Sequence, residues 1–160
     1  MTIKVGDKLP EATFRMMKEG KPTPVTTAEL TQGKKVALFA VPGAFTPTCS
    51  ARHLPGFKDK LAEFRAKGVD SIICLATNDA FVMDAWGKQQ GVGDDILMVS
   101  DGNGDFARAI GQEMDGTGIG FGKRLKRFSM FVDDGVVKSL NVEEPGKFEV
   151  SSAEYMLGQI

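Results

Sequence analysis

Cys49 lies in the run Val41-Pro42-Gly43-Ala44-Phe45-Thr46-Pro47-Thr48-Cys49-Ser50, the stretch of the chain best suited to do chemistry. The apolar segment from Lys35 to Val41 reads as a buried strand and ends in Pro42-Gly43. Thr46 followed by Pro47 has the order of a helix N-cap and first helical residue. Cys49 then falls in the first turn, where backbone N–H groups lack partners and the dipole favours an anion. A thiol held there is biased toward thiolate, its nucleophilic form.

The helix end alone is too weak to ionise the thiol fully. A free thiol with a pKa near ~8.5 is only slightly ionised at neutral pH. Each unit of depression needs about 1.4 kcal/mol of preference for the anion. A helix terminus supplies ~0.3–1 kcal/mol when exposed and ~2 kcal/mol when partly buried. A depression of two or three units therefore calls for a fixed cation. Arginine suits better than lysine, because its planar fork can donate to sulfur and substrate together.

Other reactive residue types carry less. Cys74 sits among Ile72, Ile73 and Leu75 and reads as a small core residue, with a resolving role as the alternative. His53, the single histidine, is four residues after Cys49 and could share its helical face. No Asn or Asp orienter accompanies it, so a structural role is favoured over a general base. Gly116-x-Gly118-x-Gly120-x-Gly122 follows no predicted strand and lacks Walker spacing, so it reads as a loop and not a phosphate cradle. One histidine and no paired cysteines argue against a metal site, and no cofactor is called for.

These residues must be positioned by a sheet. Segments 71–76 and 96–99 resemble strands buried on both faces. Leu54, Phe57, Leu61 and Phe64 form a helical stripe, with Pro55 expected to kink the helix. Residues 79–90 read as a second helix with Phe81, Val82, Ala85 and Trp86 on one face. Segments 128–132 and 136–140 flank Asp134-Gly135, a hairpin signal. A last helix should open at Ser151 or Ser152. The expected fold is α/β, a mixed central sheet with helices on both faces as in thioredoxin-like folds, in one domain over residues 1–160.

Twenty basic and 21 acidic side chains give a formal net charge of −1. That balance offers nothing to nucleic acid. No apolar run approaches the ~18–20 residues that span a bilayer. Two cysteines are too few for a disulfide framework and suit a reducing compartment, and with no apolar leader-like run at the N-terminus the cytoplasm is the expected location.

Pro42-x-x-x-Thr46-x-x-Cys49 resembles the active-site signature of peroxiredoxins, and PGAFTPTCSARHLPGF, from Pro42 to Phe57, resembles the type II (peroxiredoxin-five) branch. Asn78-Asp79-Ala80-Phe81-Val82 and Arg124-Leu125-Lys126-Arg127-Phe128-Ser129-Met130 are similar to two further blocks of that group. The resemblance implies a thioredoxin-like fold and a thiol peroxidase acting on hydrogen peroxide and alkyl hydroperoxides. Cys49 would be the peroxidatic cysteine, attacking peroxide and passing through a sulfenic acid. Pro42, Thr46, Cys49 and Arg127 would bind the peroxide, with Arg127 as the fixed cation and Arg124 as its substitute. The Thr46 hydroxyl could serve the Cys49 N–H or the substrate.

Animal-type members have a late resolving cysteine, and Val150-Ser151-Ser152 has none here. One-cysteine cycling is therefore expected, with glutathione and glutaredoxin as reductant and thioredoxin second. The resemblance also implies a homodimer packed near the active-site loops. Two other functions compete. A thioredoxin-like disulfide oxidoreductase is disfavoured because Thr46 stands where a Cys-x-x-Cys pair needs its other thiol. A redox sensor or holdase would use the same Cys49.

Overall fold

A computed structural model describes residues 2–160. Three parallel strands form its centre: β3 (Lys35–Ala40), β4 (Ser71–Ala76) and β5 (Ile96–Ser100). The hairpin β8 (Phe128–Asp133) and β9 (Val136–Val142) continues the sheet antiparallel to β3. On the other side β1 (Thr13–Lys18) joins β5 antiparallel and carries β2 (Lys21–Thr26) at the edge. The seven-stranded order is β2-β1-β5-β4-β3-β8-β9. This is the thioredoxin-like mixed sheet expected from the sequence.

The β1–β2 hairpin was absent from the sequence expectations. Pro22 and Pro24 speak against a strand, yet an edge strand tolerates residues with no N–H to donate. Its turn, Glu19-Gly20, has positive φ at both residues (51° and 77°), a turn that matches strand twist. Asp134-Gly135 at the β8–β9 turn does the same with the usual residue pair.

Two apolar layers cover the two sheet faces. On one, Leu30 of α1 (Thr27–Thr31) and Phe106 of α5 (Asp105–Ala109) pack on Leu38, Leu75, Val99 and Met130. On the other lie α2 (Leu54–Asp59), α3 (Leu61–Ala66), α4 (Ala80–Gln90) and α6 (Ala153–Leu157), and their layer contains both Cys49 and Cys74. Leu54, Phe57 and Phe64 are buried and Leu61 partly so, as the stripe required.

In α4 the expected face is half right, for Trp86 is buried and Val82 packs against the core layer. Met83, Trp86 and Gly87 are buried, while Phe81 is 60% exposed and Ala85 also faces solvent. Gly87 explains the rotation, since a Cβ there would meet the Met98 side chain at 2.7 Å. The helix lies on β5 along this bare stripe. Ser152 caps α6 by accepting from the Tyr155 N–H, one of the two predicted starts. A small two-stranded sheet, β6 (Glu113–Asp115) with β7 (Lys123–Leu125), carries the glycine-rich loop at its tip.

Candidate active site

The loop after β3 brings Cys49 to the sheet. Val41 N–H donates to the Leu75 carbonyl at 3.0 Å, extending the parallel pairing to the loop's first residue. Beyond it the Pro42 carbonyl accepts from Arg124 Nη1 at 2.8 Å, and Ala44 N–H donates to Asn78 Oδ1 at 2.9 Å. Arg124 therefore pins the loop and does not serve as the cation at sulfur. Phe45 turns the chain with φ of 63°, a left-handed conformation uncommon for a bulky residue. Such strain persists where surrounding bonds over-determine it.

Thr46 occupies the cap position through its backbone, for its carbonyl accepts from the Ser50 N–H at 2.9 Å. Its hydroxyl donates instead to the Gly43 carbonyl at 2.6 Å. That bond closes the loop and leaves the oxygen lone pairs as acceptors. Cys49 opens a π-helical turn, Cys49–His53, in which the Leu54 N–H reaches back to the Cys49 carbonyl. Pro55 follows in the first turn of α2, so the expected irregularity is a widened turn just before the proline.

Cys49 is fully buried. Arg127, just ahead of β8, donates from Nη2 to Cys49 Sγ at 3.0 Å and from Nη1 to His53 Nδ1 at 2.8 Å. The other imidazole nitrogen donates to the Ser151 carbonyl at 2.9 Å. His53 is thus the Nε2–H tautomer with both nitrogens engaged. Burial, reinforced by the neighbouring guanidinium, lowers its pKa to about 3 against the Ser151 hydrogen bond that favours the charged ring. A neutral imidazole with no free lone pair cannot act as general base. It orients Arg127 instead, a role the sequence signalled only through the four-residue spacing from Cys49.

This arrangement makes stability depend on pH. A histidine with a depressed folded-state pKa contributes stability that is present above about pH 6.5 and is lost as pH falls toward 3. Wild type is expected to lose up to about 1.4 kcal/mol per pH unit between pH 6.5 and 5. His53→Gln should flatten that slope. Urea midpoints at half-unit intervals check this, and a flat wild-type profile would mean that the folded protein protonates His53 freely.

A cleft of about 390 Å³ opens beside the site. Pro42, Thr48 and Arg127 lie on it together with apolar Met114 and Val142 and cationic Lys126. Of the four expected substrate-binding residues, Pro42 and Arg127 line this cleft, while Thr46 and Cys49 do not. Cys74 sits mid-strand, opposite Phe39 and Met98, and is fully buried. Burial pushes its thiol up, nearby Cys49 adds to that, and Arg127 opposes it. Among the described residues no group of three or more His, Cys, Asp or Glu side chains gathers as a metal site. Among those residues no helix is long and apolar enough to cross a membrane.

The Redoxin family model matches residues 4–157. Rice Peroxiredoxin-2E-2, chloroplastic, is 56% identical over 98% of this chain and 72% of its own length. Arabidopsis thaliana Peroxiredoxin-2E, chloroplastic, is 52% identical over 98% and 68%. Reduced Prx3 from Vibrio vulnificus, solved in complex with hydrogen peroxide, superposes with a TM-score of 0.94 at 49% identity, covering 98% of each chain. The two chloroplastic relatives overturn the expected cytoplasmic location. Two cysteines bear on the redox poise of a compartment and do not distinguish one reducing compartment from another. Sequence, sheet and buried sulfur agree: the chain belongs to the redoxin family and, within it, to the type II peroxiredoxins, which are thiol peroxidases.

Proposed function

We propose that Cys49 is the peroxidatic sulfur and that the protein cycles through this one cysteine, with glutathione and glutaredoxin as its reductant. The observation that carries the assignment is the Arg127 fork, with one arm on Cys49 Sγ and the other on a neutral imidazole. A relative solved with hydrogen peroxide supports peroxide as the substrate.

The Cys49 thiolate attacks the distal peroxide oxygen and forms an S–O bond as the O–O bond breaks. Sulfur is oxidised to the sulfenate level, and the departing oxygen leaves as water or alcohol after taking a proton. The proton comes from the peroxide O–H, for which Thr46 Oγ1 has free acceptor lone pairs. Arg127 donors face the charge that grows on the oxygens, the arrangement that lowers such barriers most. Once the sulfenate has taken a proton from solvent, a glutathione thiolate attacks the sulfenic sulfur; an S–S bond forms as the S–O bond breaks, and the departing hydroxide takes a second solvent proton and leaves as water. A second thiol, on glutaredoxin or glutathione, takes the glutathionyl group and returns Cys49.

A second cysteine of this chain has poor access to that cycle. Cys74 is locked in a central strand, and Ser151 and Ser152 are used in bonding the last helix and loop. In an assay with tert-butyl hydroperoxide, glutathione, glutathione reductase and NADPH, glutaredoxin should raise turnover at least about tenfold over glutathione alone. Turnover supported by thioredoxin and its reductase, and not by glutaredoxin, would reverse the reductant. A stable change of assembly after one oxidation, with no turnover, would favour a sensor.

Exposed large apolar residues support a dimer. Phe45 is 48%, Phe81 60%, Ile119 71% and Phe121 38% exposed. Phe45 lies against Trp86 of α4, and Phe121 lies under Arg124, which pins the Pro42 loop. Two of these residues, Phe45 and Phe121, thus lie in or beside the active-site loop. Sedimentation velocity is expected to show a dimer at micromolar concentration that Phe81→Glu dissociates. A monomeric wild type would rule the dimer out.

A further inference from the structure

Glu143 bonds the Arg127 backbone directly and reaches its guanidinium end through Ser151 and His53. The Glu143 N–H donates to the Arg127 carbonyl at 3.0 Å, just beyond the last pair of β8 and β9. The Glu143 side chain then turns back to gather the segment that follows. Its Oε2 accepts from the N–H groups of Glu149 (2.8 Å), Val150 (2.9 Å) and Ser151 (2.8 Å), and from Ser151 Oγ at 2.7 Å. The Ser151 carbonyl accepts from His53 Nε2, and His53 Nδ1 accepts from Arg127 Nη1. The hydrogen bonds form a closed circuit from the Arg127 backbone, through Glu143, Ser151 and His53, to the Arg127 guanidinium.

Three successive N–H groups aimed at one oxygen make a concave donor site suited to an anion. Glu143 is only 7% exposed, and a buried carboxylate is retained where it is fully hydrogen-bonded. Burial opposes its charge, but the four hydrogen bonds outweigh this and hold the carboxyl below its usual range. Phe148 lies between these anchor points and packs on Arg52, His53 and Arg127. The segment therefore sets where the Ser151 carbonyl stands, and so how the imidazole presents its lone pair to the guanidinium.

We propose that Glu143 is a positioning residue for the peroxide step, fixing the Arg127 fork through Ser151 and His53. The inference rests on the reading of Cys49 and Arg127 given above. Small displacements of a fixed charge at a reacting centre change rates steeply, so the effect should be kinetic as well as structural.

The test is single-turnover oxidation of the reduced protein by hydrogen peroxide, followed by Trp86 fluorescence, with melting temperature recorded for each variant. Glu143→Gln keeps one acceptor without its charge and is expected to slow the step about threefold. Glu143→Ala removes the acceptor and should slow it roughly tenfold. In a His53→Leu background the same Glu143 changes should add less than about twofold, because the circuit is already open. A merely structural carboxylate would lower the melting temperature while leaving the oxidation rate at wild type, or would slow both backgrounds equally. Either result overturns the inference. Should Glu143→Ala fail to fold, the Gln variant alone decides. Arg127→Ala serves as reference. If it is slow while the Glu143 variants are not, this inference alone fails. If it reacts at the wild-type rate, the inference falls together with the reading beneath it.

Discussion

Cys49→Ser is expected to have no peroxide-dependent turnover, a loss of more than about 10³-fold that brings activity to the buffer background. Serine keeps the size of the side chain, so the loop, the π turn and the fold should survive. Its hydroxyl ionises far above any working pH and contains no sulfur for peroxide to oxidise. Cys74 cannot substitute, because it is fully buried in β4 and its thiol is pushed toward the protonated form. NADPH consumption coupled to glutathione reductase measures the loss, and mass spectrometry of the peroxide-treated variant locates any oxidised sulfur. Turnover within tenfold of wild type would move the chemistry away from Cys49.

Arg127→Ala should slow sulfenic acid formation by about 10²–10³-fold while leaving the protein folded. Two effects add. The charge-assisted bond to Sγ is lost, worth about 1.5–3 kcal/mol for a hydrogen bond to an ionised partner. The donors that would meet the peroxide oxygens are lost with it, and removal of one such donor costs about 10²–10³-fold in comparable sites. Arg127→Lys should recover little, since an ammonium cannot hold His53 Nδ1 and Sγ in one plane. Stopped-flow rates with the reduced protein, measured against pH, separate a smaller thiolate fraction from a slower thiolate. A rate near wild type in Arg127→Ala would return Arg124 to consideration, although its bond to the Pro42 carbonyl already occupies it.

Much of the site was legible because its signals are local. Strand, Pro-Gly loop, threonine and helical cysteine follow one another within about 15 residues, and short-range preferences decide such a run. The choice of Arg127 came from block resemblance, and the fork to Cys49 and His53 supports it. What escaped was set by contacts between distant segments. The motif around His53 speaks for a structural role, but only the approach of Arg127 and Ser151 makes it an anchor for the guanidinium. Glu143 looked like one more acidic residue in a charged stretch, because nothing in Glu143-Glu144-Pro145-Gly146-Lys147 says that three later N–H groups fold onto it.

The fold divides in the same way. Central strands read clearly since each is a continuous apolar run buried on both faces. The edge hairpin β1–β2 was hidden by its prolines, and α1 and α5 are single short turns whose burial comes from the sheet beneath them. In α4, Phe81 looked like a core residue by type, yet the close approach of Gly87 to Met98 turns the helix so that Phe81 faces outward.

The contact between Arg127 and a neutral His53 bears on what happens after the first chemical step. Among the described residues no carboxylate forms an ion pair with Arg127, and the imidazole beside it carries no charge at neutral pH. In the proposed mechanism the Cys49 thiolate is the anion that faces the guanidinium. Transfer of the peroxide proton to the leaving oxygen keeps one negative charge beside the guanidinium as a sulfenate, and only its later protonation to sulfenic acid would leave a partly buried cation unmatched, a costly condition. On that reading the contact between Arg127 and the first helical turn is strongest while the sulfur is charged and would weaken once the sulfenate takes a proton. The protonation state of the oxidised sulfur would thus set how firmly Arg127 holds it when the reducing thiol attacks.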